Sequence, residues 1–117
     1  MSERVTIIFG RVDAVTAELR SAVCALESKA LTEFFHEIDI WAETVSDGRS
    51  PLRTMNHRFE IFRLEASPPS PWIVGAFDTS TREFVVCALL PDRRAPSIEH
   101  SAALCARALG VSVESLA

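Results

Sequence analysis

Lysine is all but missing from this chain. Lys29 stands alone beside eleven arginines, so the positive charge is guanidinium, which grips carboxylate or phosphate through a planar two-pronged fork rather than as a point charge. Long apolar runs are missing as well. Met1-Ser2-Glu3-Arg4 leads into only five mostly apolar residues, Val5 to Phe9, too few for a signal-peptide core or a membrane span. A soluble, cytoplasmic protein with no membrane partner is expected. The chain has no glycine-rich phosphate loop and no Gly-x-Ser-x-Gly elbow, which leaves P-loop nucleotide hydrolysis and serine esterase chemistry without support. His36-Glu37 is followed by Ile40 where a zinc-protease helix needs its second histidine, so that motif is excluded.

Cysteine is scarce and odd in number. Cys24, Cys87 and Cys105 are widely spaced among apolar neighbours and read as buried free thiols in a reducing compartment rather than a disulfide framework. Together with His36, His57 and His100 they show no ligand spacing, so neither a metal nor another cofactor is expected.

What remains is enough for one core. At 117 residues and 48% hydrophobic, the chain predicts a single domain over 1–117, with 110–117 as a C-terminal tail. The net charge is −4, and it is unevenly spread. Residues 1–48 carry −5 and residues 49–117 carry +1, while 49–63 alone carry +3 from Arg49, Arg53, Arg58 and Arg63 against Glu60. An acidic total argues against general nucleic-acid affinity. A local arginine cluster still has to be explained.

Hydrophobic spacing sets the element order. Val5-Thr6-Ile7-Ile8-Phe9 reads as a strand ended by Gly10. Asp13 is placed to cap a helix carrying Val15, Leu19, Ala22, Val23 and Leu26 at three-to-four spacing. A second stripe follows through Leu31, Phe34, Phe35, Ile38, Trp41, Ala42 and Val45, which reads as a second helix after a break near Ser28-Lys29, one long helix being the alternative, with an end at Asp47-Gly48-Arg49-Ser50-Pro51. From Arg58 the period becomes two. Phe59, Ile61 and Arg63 share one face and Phe62 and Leu64 the other, predicting a strand over 58–64 covered on one side and half covered on the other. Trp72–Phe77 and Phe84–Leu90 flank the polar turn Asp78–Glu83 as a buried hairpin. After the basic loop Pro91–Pro96, Ser97 caps a helix bearing Ile98, Ala102, Cys105 and Leu109 that stops at Gly110.

This order, with Leu52-Arg53-Thr54-Met55, Phe59-Glu60-Ile61-Phe62-Arg63, the hairpin Ala76-Phe77-Asp78 to Arg82–Val86 and the loop Asp92-Arg93-Arg94-Ala95-Pro96, resembles the RelE/ParE superfamily of bacterial toxins, nearest to its HigB-like, phage-derived branch. The resemblance covers about residues 30–109. It implies an α+β fold: a small antiparallel or mixed sheet, two N-terminal helices packed on one face and a C-terminal helix. It also implies a metal-independent endoribonuclease acting on ribosome-bound messenger RNA, or a catalytically weakened derivative, with an antitoxin or other protein as partner. In such chemistry a ribose 2′-hydroxyl attacks the adjacent phosphate, which needs cations beside the developing charge and a proton-transfer group. Residue by residue, Arg63 matches the strand arginine that contacts phosphate and Arg93 or Arg94 the basic loop, while His100 falls near the position where members place a tyrosine or histidine for acid–base work. Pro71-Trp72 stands where active members begin the next strand with a second arginine, and Glu60 and Phe62 replace lysines.

Those departures keep a second expectation open. A non-enzymatic phage or bacterial binding module would use the same arginine-bearing face to grip an acidic protein. Arg53, His57, Arg58 and Trp72 are the candidates for contact with RNA or partner. Guanidinium supplies bidentate contacts, and an indole supplies a stacking surface. Trp41, on the apolar helical stripe, belongs in the core.

Overall fold

Thr6-Ile7-Ile8-Phe9, β-branched and aromatic, forms the first strand, β1 (Thr6–Phe9), in a computed structural model that describes residues 5–44, 51–91 and 94–112. Gly10 ends it at φ 60°, in the left-handed region that glycine enters without steric cost. Two separate helices follow, α1 (Asp13–Cys24) and α2 (Ser28–Thr44), divided where the apolar stripe was expected to break. Asp13 does not act as the cap. Val12 holds that position with no side-chain bond, and Asp13 sits in the first turn, where a carboxylate still favours the positive end of the helix. Residues 45–50, which contain most of the expected helix end, lie outside the described residues.

The expected strands stand as β3 (Phe59–Leu64), β4 (Trp72–Asp78) and β5 (Glu83–Leu90), in consecutive antiparallel pairs. A short strand, β2 (Arg53–Met55), adds to β3 through a tight turn. Asn56 and His57 both take φ 54°, and the Arg58 N–H donates to the Met55 carbonyl at 3.2 Å. Positive φ at successive turn residues matches the right-handed twist of hairpin strands, and asparagine tolerates it better than most side chains. The sheet runs β1-β5-β4-β3-β2, with β1 parallel to β5. With a final helix, α3 (Ile98–Leu109), the fold is α+β: among the described residues, three helices on a five-stranded mixed sheet.

Aromatic packing fixes α2 on one face. The fully buried Trp41 meets Phe84, Phe62 and Phe77 at centroid distances of 4.3, 5.2 and 5.4 Å. Gly75 makes room for this cluster. A Cβ there would lie 2.2 Å from Cζ of Phe84, so the ring occupies the space that any larger residue would need.

The other face is closed by α3, whose buried free Cys105 thiol shares a hydrogen bond with the Cys87 thiol of β5. Alongside it runs α1, joined to it by Arg107 donating to Glu18 at 2.9 Å. Ser97 caps α3 by accepting from the His100 N–H at 3.0 Å, and Gly110 ends it in the left-handed region at φ 75°, as the sequence predicts. Because α3 also reaches β3, Phe59 and Ile61 are as buried as Phe62 and Leu64. That strand is covered on both faces rather than one and a half. Cys24 departs from expectation too. Cys87 and Cys105 are buried, but Cys24, the last residue of α1, is exposed because it falls off the Val15–Leu19–Val23 stripe.

Candidate functional site

At the end of β4 the chain places a carboxylate where an apolar residue would be expected. Asp78 is fully buried, and burying an ion is costly unless it is paired and hydrogen-bonded. Its partners come from three segments. Arg58, just before β3, donates from Nε to Oδ1 at 2.9 Å and from Nη2 to Oδ2 at 2.7 Å. Arg11, after β1, approaches Oδ2 at 2.9 Å. Ser80, two residues on in the turn, donates its N–H and hydroxyl to Oδ1 at 3.0 and 2.8 Å. Burial works to raise the Asp78 pKa, but the bonds from Arg58, Ser80 and Arg11 outweigh it and hold the carboxyl well below the usual carboxylate range. Arg58 is held cationic in turn, chiefly through the same bond.

This ion cluster stiffens one end of the sheet. Arg11 also donates to Glu83 at 2.7 Å, and Thr79 returns both N–H and hydroxyl to the Arg58 carbonyl at 3.0 and 2.8 Å. Three guanidiniums lie over aromatic rings there: Arg58 and Arg11 at 5.0 and 5.9 Å from the Phe59 centroid, and Arg82 at 5.2 Å from that of Phe77. Cations within about 6 Å of a ring face are attracted by its quadrupole. The Arg58 side chain nevertheless keeps 45% of its surface exposed.

The arginine cluster read from the sequence therefore divides in two. His57, exposed in the turn, and Arg58 belong to the Asp78 end, whereas Arg53, exposed on the edge strand β2, pairs with Ile61 and so stands between the two, a diagonal neighbour of Arg63. Arg63 lies five residues along β3 from Arg58, about 17 Å away at ~3.4 Å per residue. It is half-buried, and its Nη1 donates to the carbonyl of Pro96 in the loop before α3. That contact ties Arg63 to the segment holding Arg94 and His100, both exposed. Arg93 lies outside the described residues. Trp72 is half-buried and, from the register Arg63 with Val74, is a diagonal neighbour of Arg63 on the same face. The His100 contact at this end is its backbone N–H on Ser97.

Arg11, Asp78 and Glu83 were not among the sequence candidates. The signal for Asp78 was present: a lone acid closing an apolar run before Thr-Ser-Thr is an Asx-turn pattern. Arg11 gave none, since only the parallel pairing of β1 with β5 brings it there.

Among the described residues no group of three or more His, Cys, Asp or Glu side chains is placed to hold a metal, and no helix is long and apolar enough to cross a membrane. Comparison with protein-family models, with curated proteins and with solved structures gives no match to this chain.

Proposed function

We propose that this protein is a non-enzymatic binding module of RelE-like build, taking an acidic segment of a partner protein at the β2–β3 end of its sheet. The observation that carries this reading is the position of the accessible cations. Arg53 is exposed on an edge strand opposite Ile61, and the outer part of Arg58 is exposed beside His57 in the turn that closes the same hairpin, where Asp78 holds the Arg58 fork in one orientation. A preorganised fork loses little entropy on meeting a carboxylate. An edge strand also offers unpaired backbone groups to an extended segment.

A ribosome-dependent endoribonuclease is the second reading. It is favoured by one contact, Arg63 with Pro96, which links the strand arginine to the segment bearing Arg94 and His100. Against it, that guanidinium meets a backbone carbonyl, and cleavage needs several cations and a proton-transfer group around one phosphate.

Inducible expression separates the two readings. The binding reading predicts normal growth with intact messages, and binding of a glutamate-rich peptide that weakens steeply with salt. Growth arrest with cut messages, abolished by Arg63→Ala, would establish the nuclease instead.

A further inference from the structure

The face carrying α1 and α3 holds an apolar groove that the Asp78 end does not use. One cleft of about 260 Å³ opens between the two helices above β5, walled by Leu19, Leu90 and Leu104 with Glu18 and Arg107 at its rim. A second, also about 260 Å³, continues toward the proline loop and is walled by Leu26, Pro69 and Pro71. Ala22 and Leu89 line both, so the two clefts adjoin. The sequence explains the space. Alanine stands at positions 22 and 88, where a larger side chain would fill the gap between helix and strand. Four leucines, Leu26, Leu89, Leu90 and Leu104, are in consequence only partly buried. The joined volume falls within the ~300–1,000 Å³ of small-molecule sites.

Charge identifies the occupant. Among the described residues the groove is mostly apolar, and its one charged rim is the pair Glu18 and Arg107, in which the Arg107 Nη2 meets both carboxylate oxygens of Glu18 at 2.9 Å. Both side chains of that pair are more than half exposed, and exposed pairs of this kind are weak. Glu18 thus marks where a carboxylate sits on Arg107 and is easily displaced by another one. We infer that the groove binds a straight-chain carboxylic acid, its head group replacing Glu18 on Arg107 and its alkyl chain lying past Ala22 and Leu89 toward the prolines. The Arg107 Nη2 that meets both Glu18 oxygens holds the head, and burial of methylene groups drives the tail.

Calorimetric titration with decanoate, and with decanol as the headless control, tests this on the whole chain. Decanoate is expected to bind, with a negative heat-capacity change from apolar burial. Arg107→Gln should weaken decanoate about tenfold and leave decanol unchanged. Glu18→Gln should tighten decanoate by freeing its competitor, an effect that mere loss of structure cannot mimic. Ala22→Trp, at an exposed position, should block both ligands with the melting temperature kept. Absence of decanoate binding, equal affinity in Arg107→Gln, or undiminished binding in a folded Ala22→Trp variant each overturns the assignment.

Discussion

Arg58 clasps both oxygens of Asp78, Nε to Oδ1 at 2.9 Å and Nη2 to Oδ2 at 2.7 Å. One partner is fully buried and the other is partly in water. The pair turns an isolated acid in the sheet into a fastening between the β2–β3 and β4–β5 turns, and it presents the outer edge of the guanidinium to whatever binds.

Asp78→Ala should lower stability by about 3 kcal/mol, the low end of the ~3–5 kcal/mol range for breaking a buried pair, because both arginines retain some access to water. The pH dependence follows from the depressed carboxyl. A group whose folded pKa lies below its unfolded value, about 3.9 for Asp, contributes fully above that value and loses its contribution as pH falls further. Melting curves of the wild type and Asp78→Asn should therefore be far apart at neutral pH and converge below about pH 4. A constant gap down to pH 2 would show that the charge on Asp78 is irrelevant.

Gly75→Ala should destabilise by about 1–3 kcal/mol or more, the cost of overpacking, since its Cβ meets the Phe84 ring at 2.2 Å. Adding Phe84→Leu should recover part of the loss, because contacting residues couple. Chemical denaturation of the double variant checks this; simple additivity of the two losses would contradict it.

Trp41→Ala should cost about 3–5 kcal/mol, since the indole contacts Phe62, Phe77 and Phe84 at once. Thermal melting decides, and an unchanged midpoint would remove α2 from the core.

Thiol alkylation of the native protein should modify Cys24 alone. Cys87 and Cys105 are buried, and the hydrogen bond between their free thiols together with burial raises the Cys105 thiol well above its ordinary range, which lowers the reactive thiolate fraction. Mass spectrometry should find one adduct before unfolding and three after it.

Local pattern carried much of this architecture. The two-residue period of Phe59–Leu64, the apolar runs of β4 and β5, the Ser97 cap and the Gly110 stop all arise from forces acting within a few residues, and each was legible in the sequence. The short strand β2 was not. Three residues, Arg53-Thr54-Met55, show no period, and their pairing depends on a turn through Asn56 and His57 at positive φ. The site was harder still. Arg53, Arg58 and Arg63 read as one cluster because sequence distance is short, yet an extended strand sets Arg58 and Arg63 at opposite ends. Asp78 and Arg11 meet only because β1 pairs with β5 across more than seventy residues. No local signal reports a parallel pairing.

The most direct test of the binding reading is fluorescence anisotropy of a labelled glutamate-rich peptide titrated with wild type, Arg53→Glu and Arg63→Ala. The account predicts that Arg53→Glu weakens binding by about tenfold or more, because reversing a charge at the contact sets like charges face to face, while Arg63→Ala binds as the wild type does. Binding lost in Arg63→Ala and kept in Arg53→Glu would contradict it and move the site to the Pro96 end of the sheet.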